Sequence, residues 1–266
     1  MAIYDCFQYF NEDHILDLRM NILDEYVDYF VISESTKTHQ GKNKKINFDI
    51  KNFKKFKSKI KFIVADYDQD INFKKHFGGE SPIEQHQRNC LIEGIKDALP
   101  EDLIILSDSD EIPDLSKLNE INKNKKFFAF SQQMFMYKFN LQNINESNWI
   151  GSRLAKKKNI KSMQKLRDLK FKSYPFWRID KINFQVIKGG WHFSFLQTPE
   201  QILNKIKSFS HGEFNNESIN EKEIEKKILE NKDIFNRGFK LKKIDLDDSY
   251  PKYIIENKEK FLKWIL

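Results

Sequence analysis

The chain has 266 residues, 39% hydrophobic, 14% aromatic and 32% charged, with a formal net charge of +7. Its 24 Phe residues exclude a disordered chain, and the length suits one domain with small extensions. The basic excess lies in lysine-rich runs such as residues 51–61 and 156–158. No nucleic-acid motif accompanies it, so it reads as solvated surface and not as a nucleic-acid interface.

Two cysteines, Cys6 and Cys90, stand in apolar surroundings without metal-ligand spacing. A disulfide framework is not expected, and a reducing compartment is. No run approaches the ~18 apolar residues of a membrane span. The first ten residues lack a basic start and carry Asp5, so they read as a strand and not as a signal peptide. The expectation is a soluble, cytoplasmic protein.

In chain order, residues 2–10 predict a strand. Asn11 or Asp13 caps a helix whose stripe is Ile15, Leu16, Leu18, Ile22 and Leu23, and residues 29–32 predict a second strand. Strand, helix and strand make a βαβ unit with a right-handed crossover. Residues 61–65 add a third strand. Ser81-Pro82-Ile83-Glu84 is a capping box opening a helix with Ile83, Cys90, Leu91, Ile95 and Ala98 on its inner face, stopped by Pro100. Leu103-Ile104-Ile105-Leu106 is a continuous apolar run, as in a parallel strand buried on both faces.

Further on, residues 127–139 predict an aromatic strand, and residues 143–173 loops with a short helix. Residues 182–196 predict a strand pair or bent strand around Gly189-Gly190. Thr198-Pro199-Glu200-Gln201 is a second capping box, opening a helix to about residue 209. Residues 217–235 predict an amphipathic helix and residues 251–266 a final one.

The apolar strand at 103–106 leads into Ser107-Asp108-Ser109-Asp110-Glu111-Ile112-Pro113. In an extended segment Asp108 and Asp110 point to one side, just past the carboxyl end of a parallel strand, where open α/β sheets bind ligands. Two carboxylates held together call for a cation, and hard oxygen ligands suit Mn²⁺ or Mg²⁺, with a nucleotide diphosphate supplying further oxygens. A strand followed by this motif also occurs in haloacid-dehalogenase-type phosphatases, where the first Asp is the nucleophile. That is the alternative enzyme reading; a non-catalytic carbohydrate- or nucleotide-binding protein is the alternative from another class.

Several segments occur together in a particular order. They are Ile3-Tyr4-Asp5-Cys6-Phe7, Asn11-Glu12, Leu18-Arg19, Val27 through Ser35, and Gln87-Arg88-Asn89. After the Ser107–Pro113 segment come Gly190-Trp191-His192-Phe193-Ser194 and Lys207-Ser208-Phe209-Ser210-His211. Over about residues 3–215 this set resembles glycosyltransferase family 17, which includes the β-1,4-mannosyl-glycoprotein 4-β-N-acetylglucosaminyltransferase. The resemblance implies a GT-A-type, Rossmann-like mixed α/β sheet flanked by helices over residues 1–215. Residues 216–266 would form a C-terminal helical extension packed on the same domain. It also implies a UDP-sugar donor, UDP-GlcNAc or similar, an inverting transfer forming a β linkage, and a glycan or polysaccharide acceptor. Animal members carry a transmembrane anchor and stem, and the expectation here is a protein without them.

Within that resemblance, Asp110 is expected to ligate the metal and Asp108 to contact the ribose or the metal. Glu111 supports the donor or caps the following turn. Glu34 holds base or ribose, or forms a salt bridge. Arg88 reaches a phosphate oxygen, or pairs with Glu84 one helical turn away. Trp191 offers a sugar-stacking face, His192 ligates metal or phosphate, and His211 is either functional or a partner of helix-end carbonyls. An inverting transfer needs one general base. The candidates are Glu111, Glu213 and Asp180, with Glu213 preferred because it follows the last matched segment.

Overall fold

The computed structural model describes residues 1–68, 81–146, 148–172, 182–208 and 220–266. The chain begins as predicted, with β1 (Ile3–Gln8), α1 (Asp13–Leu23), β2 (Tyr29–Ser35) and β3 (Ile60–Ala65). Next come α2 (Pro82–Cys90), β4 (Leu103–Ser107), β5 (Glu111–Pro113), β6 (Phe127–Met136), β7 (Leu141–Asn143) and β8 (Trp149–Lys156). The remainder is α3 (Met163–Arg167), β9 (Phe184–Ser194), α4 (Pro199–Ser208), α5 (Glu221–Leu229), β10 (Leu241–Lys243) and α6 (Lys252–Glu256).

The strands form one mixed sheet. Its parallel half runs β3-β2-β1-β4, and β8, antiparallel to β4, continues it through β6 and β7 to β10. β9 pairs parallel with β6 and antiparallel with β5. The strand order reverses at β1 and β4, and ligands of open α/β sheets bind beyond the carboxyl ends of the strands at such a point. Every residue of β4 is buried, as its unbroken apolar run requires. One core cluster packs α1 and the C-terminal residues Tyr250, Ile254, Phe261 and Trp264 on one face, and a second packs Leu91, Ile95, Met163 and Leu166 on the other.

Four readings of the sequence are corrected. Residues 149–156 are not loop but the strand β8, joining β4 to β6. The helix from Pro82 ends at Cys90 and tightens into a 3₁₀ segment, Leu91–Ile95. There Gly94 packs so closely on β2 that a Cβ would lie 2.3 Å from Val31 Cγ1. The first capping box is only half made: Ser81 Oγ accepts from Glu84 N at 3.1 Å, while the Glu84 carboxylate turns to Arg88 at 3.0 Å. The segment after residue 216 is not wholly helical, since β10 pairs with β7, and its last helix breaks at Asn257 into α6 and a 3₁₀ segment, Lys258–Trp264. The second capping box is complete, with Gln201 N donating to Thr198 Oγ1 at 3.3 Å and Thr198 N to Gln201 Oε1 at 3.0 Å. Among the described residues, no helix is long and apolar enough to cross a membrane.

Candidate active site

Just beyond β4 the chain turns at once, with Glu111 N donating to Asp108 O at 3.1 Å, and then runs into β5. This turn is pinned from below. Arg19 of α1 forms a fully buried, two-point pair with Asp5 of β1, at 2.7 and 2.6 Å. Its Nη1 then donates to the carbonyls of Glu111 at 2.6 Å, Asp108 at 3.3 Å and Ser109 at 3.4 Å. Ser109 Oγ donates to Glu12 at 3.1 Å, and Glu12 in turn pairs with Lys205 of α4.

The side chains of the turn separate. Asp108 Oδ2 meets Arg167 Nη2 at 2.6 Å, and its Oδ1 lies 3.7 Å from Arg88 Nη2. Glu111 is buried. It accepts from Trp149 Nε1 at 2.6 Å, from both Arg167 amino groups at 2.8 and 3.0 Å, and from Asp108 N at 3.1 Å. Burial opposes its charge, but Arg167 outweighs burial and holds the carboxyl well below the usual range. Burial pushes Asp108 the other way, up, against the pull of Arg167. Arg153 completes a cationic wall. Its Nε is buried without a hydrogen-bond partner, and burial, with Arg167 nearby, draws its guanidinium down to about 10.

On the other side of the turn, Asp110 Oδ1 lies 3.6 Å from His192 Nε2. The pairing of β5 with β9 sets this, because Glu111 stands opposite His192 in the register. Burial resists charge on both groups, yet mutual attraction wins: Asp110 sits below the ordinary carboxylate range and His192 above the ordinary imidazole value. The His192 ring lies against Trp149, centroids 5.0 Å apart, and its buried Nδ1 has no hydrogen-bond partner.

The expected residues therefore divide. Asp108, Asp110, Glu111, Arg88 and His192 come together. The turn gives each carboxylate its own cationic partner, Arg167 for Asp108 and His192 for Asp110. Among the described residues, no three of His, Cys, Asp and Glu gather as a ready metal ligand set; of the three expected ligands, Asp110 and His192 stand together and Asp108 pairs with Arg167.

Glu34 is not open to a nucleotide. Its buried carboxylate is used by Lys44, by Asn47 N at 2.9 Å and Nδ2 at 3.0 Å, and by Phe48 N at 2.9 Å, which is the salt-bridge reading. Trp191 does not stand beside His192 as a stacking face. Neighbours on a strand point to opposite sides, and Trp191 is buried in the α1-side core, its Nε1 donating to Ser249 O at 3.0 Å. Arg88 pairs with Glu84 at 3.0 Å, the second of the two readings of it, and also lies 3.7 Å from Asp108. Glu213, Asp180 and His211 lie outside the described residues.

Sequence reasoning passed over Arg167, Trp149, Arg153 and Lys205. Arg167 and Arg153 sit in the stretch read as polar loop. The one available signal was Ser162, whose Oγ caps α3 through Lys165 N at 3.1 Å and so fixes where Arg167 falls.

Similar solved structures include a Bacillus anthracis protein assigned as a glucose-1-phosphate thymidylyltransferase, in complex with sucrose. It is 11% identical over 71% of this chain and 88% of that one, at a TM-score of 0.39. HddC from Yersinia pseudotuberculosis is 12% identical over 71% and 90%, at 0.37. The glycosyltransferase GlyE of Streptococcus pneumoniae TIGR4 is 17% identical over 59% of this chain and 34% of that one, at 0.27. No curated protein matches the sequence. The model of glycosyltransferase family 17 matches residues 1–266, the whole chain, and the protein belongs to that family.

Proposed function

We propose that this glycosyltransferase is a metal-dependent, inverting enzyme that moves GlcNAc from UDP-GlcNAc onto a glycan acceptor with a β linkage. The observation that carries the reading is the split turn beyond β4, where the Asp110–His192 pair stands next to a cationic wall of Arg88, Arg153 and Arg167. A sugar diphosphate brings negative charge and many acceptor oxygens. Guanidinium groups meet such oxygens two at a time, and the buried Arg153 Nε is a donor without an acceptor.

Asp110, with His192 beside it, would hold Mn²⁺ or Mg²⁺, because such hard ions are bound through one or two carboxylates and would take further oxygens from the diphosphate. When bound, the ion neutralises charge on the leaving diphosphate. Asp108, with 39% of its side chain exposed, is the carboxylate left to meet the ribose or the ion.

Glu111 acts here by holding Arg167 and Trp149 in place. A carboxylate with four donors and a depressed proton affinity is a poor base. The general base is assigned to Glu213. The haloacid-dehalogenase alternative needs Asp108 as a free nucleophile, and its ion pair with Arg167 opposes that.

The test is UDP release from a panel of UDP-sugars with Mn²⁺, Mg²⁺ or EDTA. Metal-dependent release from UDP-GlcNAc is the expected result. Release from another sugar alone corrects the donor, and release unaffected by EDTA overturns the metal.

A further inference from the structure

A cleft of about 790 Å³ lies on the α1 side of the sheet, away from His192, and the reaction above makes no use of it. Its walls are the last turn of α1, residues 113–117, the bend of β9 at residues 188–191, and residues 248–253. Two glycines create it. Gly189 and Gly190 have φ of +153° and +110°, and a Cβ on Gly190 would lie 2.5 Å from Ile112 O. The β9 backbone therefore lies directly on β5, and neither glycine puts a side chain into the cleft.

The chemistry of the walls selects a ligand class. Tyr26 and Tyr253 present half-buried rings, above the buried rings of Trp191 and Tyr250. The neutral amides Asn21, Gln133 and Asn148 lie among them. Three lysines and four carboxylates nearly cancel, which leaves no field for an anion such as a nucleotide. A volume of this size, lined by rings and by a few groups that both donate and accept hydrogen bonds, suits a neutral polyhydroxylated molecule with apolar faces: a saccharide.

The cleft shares a wall with the candidate active site. Glu111, at one end of β5, belongs to the Asp108 cluster, and Pro113, two residues on and about 7 Å away, lines the cleft. Asn148 lines the cleft, and its neighbour Trp149 donates to Glu111.

We propose that this cleft binds the non-reacting sugar units of the acceptor, a neutral oligosaccharide. The inference rests on the transfer reaction proposed above for the word acceptor, and on the cleft alone for the word saccharide.

Saturation-transfer NMR tests it with cellobiose, lactose, maltose and chitobiose as probes, on the wild type and on the Gln133→Leu, Tyr26→Ala and Tyr26→Phe variants. The unfolding midpoint of each variant serves as the control for folding. At least one disaccharide binds the wild type, and affinity falls about threefold to tenfold in Gln133→Leu and Tyr26→Ala, while Tyr26→Phe, which keeps the ring, retains it. Should Tyr26→Ala fail to fold, Gln133→Leu decides. No binding of any disaccharide, or binding unchanged in Gln133→Leu, overturns the cleft. UDP release, measured separately on the wild type, distinguishes the two proposals: saccharide binding without UDP release from any donor retains the cleft and removes the donor chemistry, and the reverse removes the cleft alone.

Discussion

Glu111 has no contact with solvent and four donors around its two oxygens. Glu111→Gln keeps its shape but turns an acceptor oxygen into an NH₂ group facing the Arg167 or Trp149 donors. A supporting group of this kind costs about 10- to 100-fold when removed, and UDP release by Glu111→Gln is expected to fall by that factor; an unchanged rate would show that Arg167 needs no such anchor. Arg19 poses the complementary case. Arg19→Met leaves Asp5 buried without its cation and frees the carbonyls of the turn, and loss of one partner of a buried pair costs about 3–5 kcal/mol, to be read by chemical denaturation. The sequence makes the Asp108–Asp110 turn and His192 legible as short motifs, because neighbours in the chain carry them. The Asp5–Arg19 pair and the use of Glu34 by Asn47 and Phe48 are not legible in the same way. Those pairings depend on which strand lies next to which, and a carboxylate at a strand end reads the same whether a ligand or a loop takes it.

At the scale of elements, the parallel half of the sheet could be read because each strand is an unbroken or alternating apolar run bounded by turn residues. β8 could not. Its sequence, Trp149-Ile150-Gly151-Ser152-Arg153-Leu154-Ala155-Lys156, mixes charge, Ser and Gly where a central strand is expected to be apolar. The register with β6 shifts between Ala129 and Ser131. Gly151 has a specific reason, since a Cβ there would lie 1.6 Å from Gln132 Oε1, whose hydrogen bond from Ser152 N at 3.2 Å fills that space. The bend of β9 was visible as Gly189-Gly190, and it sets both the cleft and the pairing that brings His192 opposite Glu111. Gly190→Ala puts a side chain in a left-handed conformation against Ile112 O. It is expected to destabilise the protein by more than about 1 kcal/mol and to lower UDP release by displacing His192. Normal activity in this variant would show that the two strands can part without disturbing the site.

For the whole molecule, the C-terminal residues close the α1 face of the sheet. Phe139 N donates to Trp264 O at 2.8 Å, and Leu266 N to Asn140 Oδ1 at 2.9 Å. His14 joins three parts of the chain: its ring stacks on Trp264 with centroids 5.1 Å apart, and its Nε2 bonds Leu196 O beyond β9. Burial lowers the His14 pKa below the ordinary imidazole value, so the folded state binds this proton less readily than the unfolded chain. The stability it contributes is present above the unfolded value of about 6.5 and is lost as pH falls through the folded one. His14→Phe keeps the stack on Trp264 and removes the titration. The difference in unfolding free energy between wild type and His14→Phe should shift in favour of the variant as pH is lowered from 7 toward 5; a constant difference would place the proton elsewhere.

The Asp110–His192 pair and the arginine wall are proposed to hold a nucleotide diphosphate together with a divalent ion. The most direct measurement is calorimetric titration of UDP into wild type and Asp110→Ala, each with Mn²⁺ and with EDTA. Tight binding is expected only for wild type with Mn²⁺, and weak, Mn²⁺-independent binding for Asp110→Ala that the arginines alone support. Equal UDP affinity in both proteins, indifferent to EDTA, would contradict it.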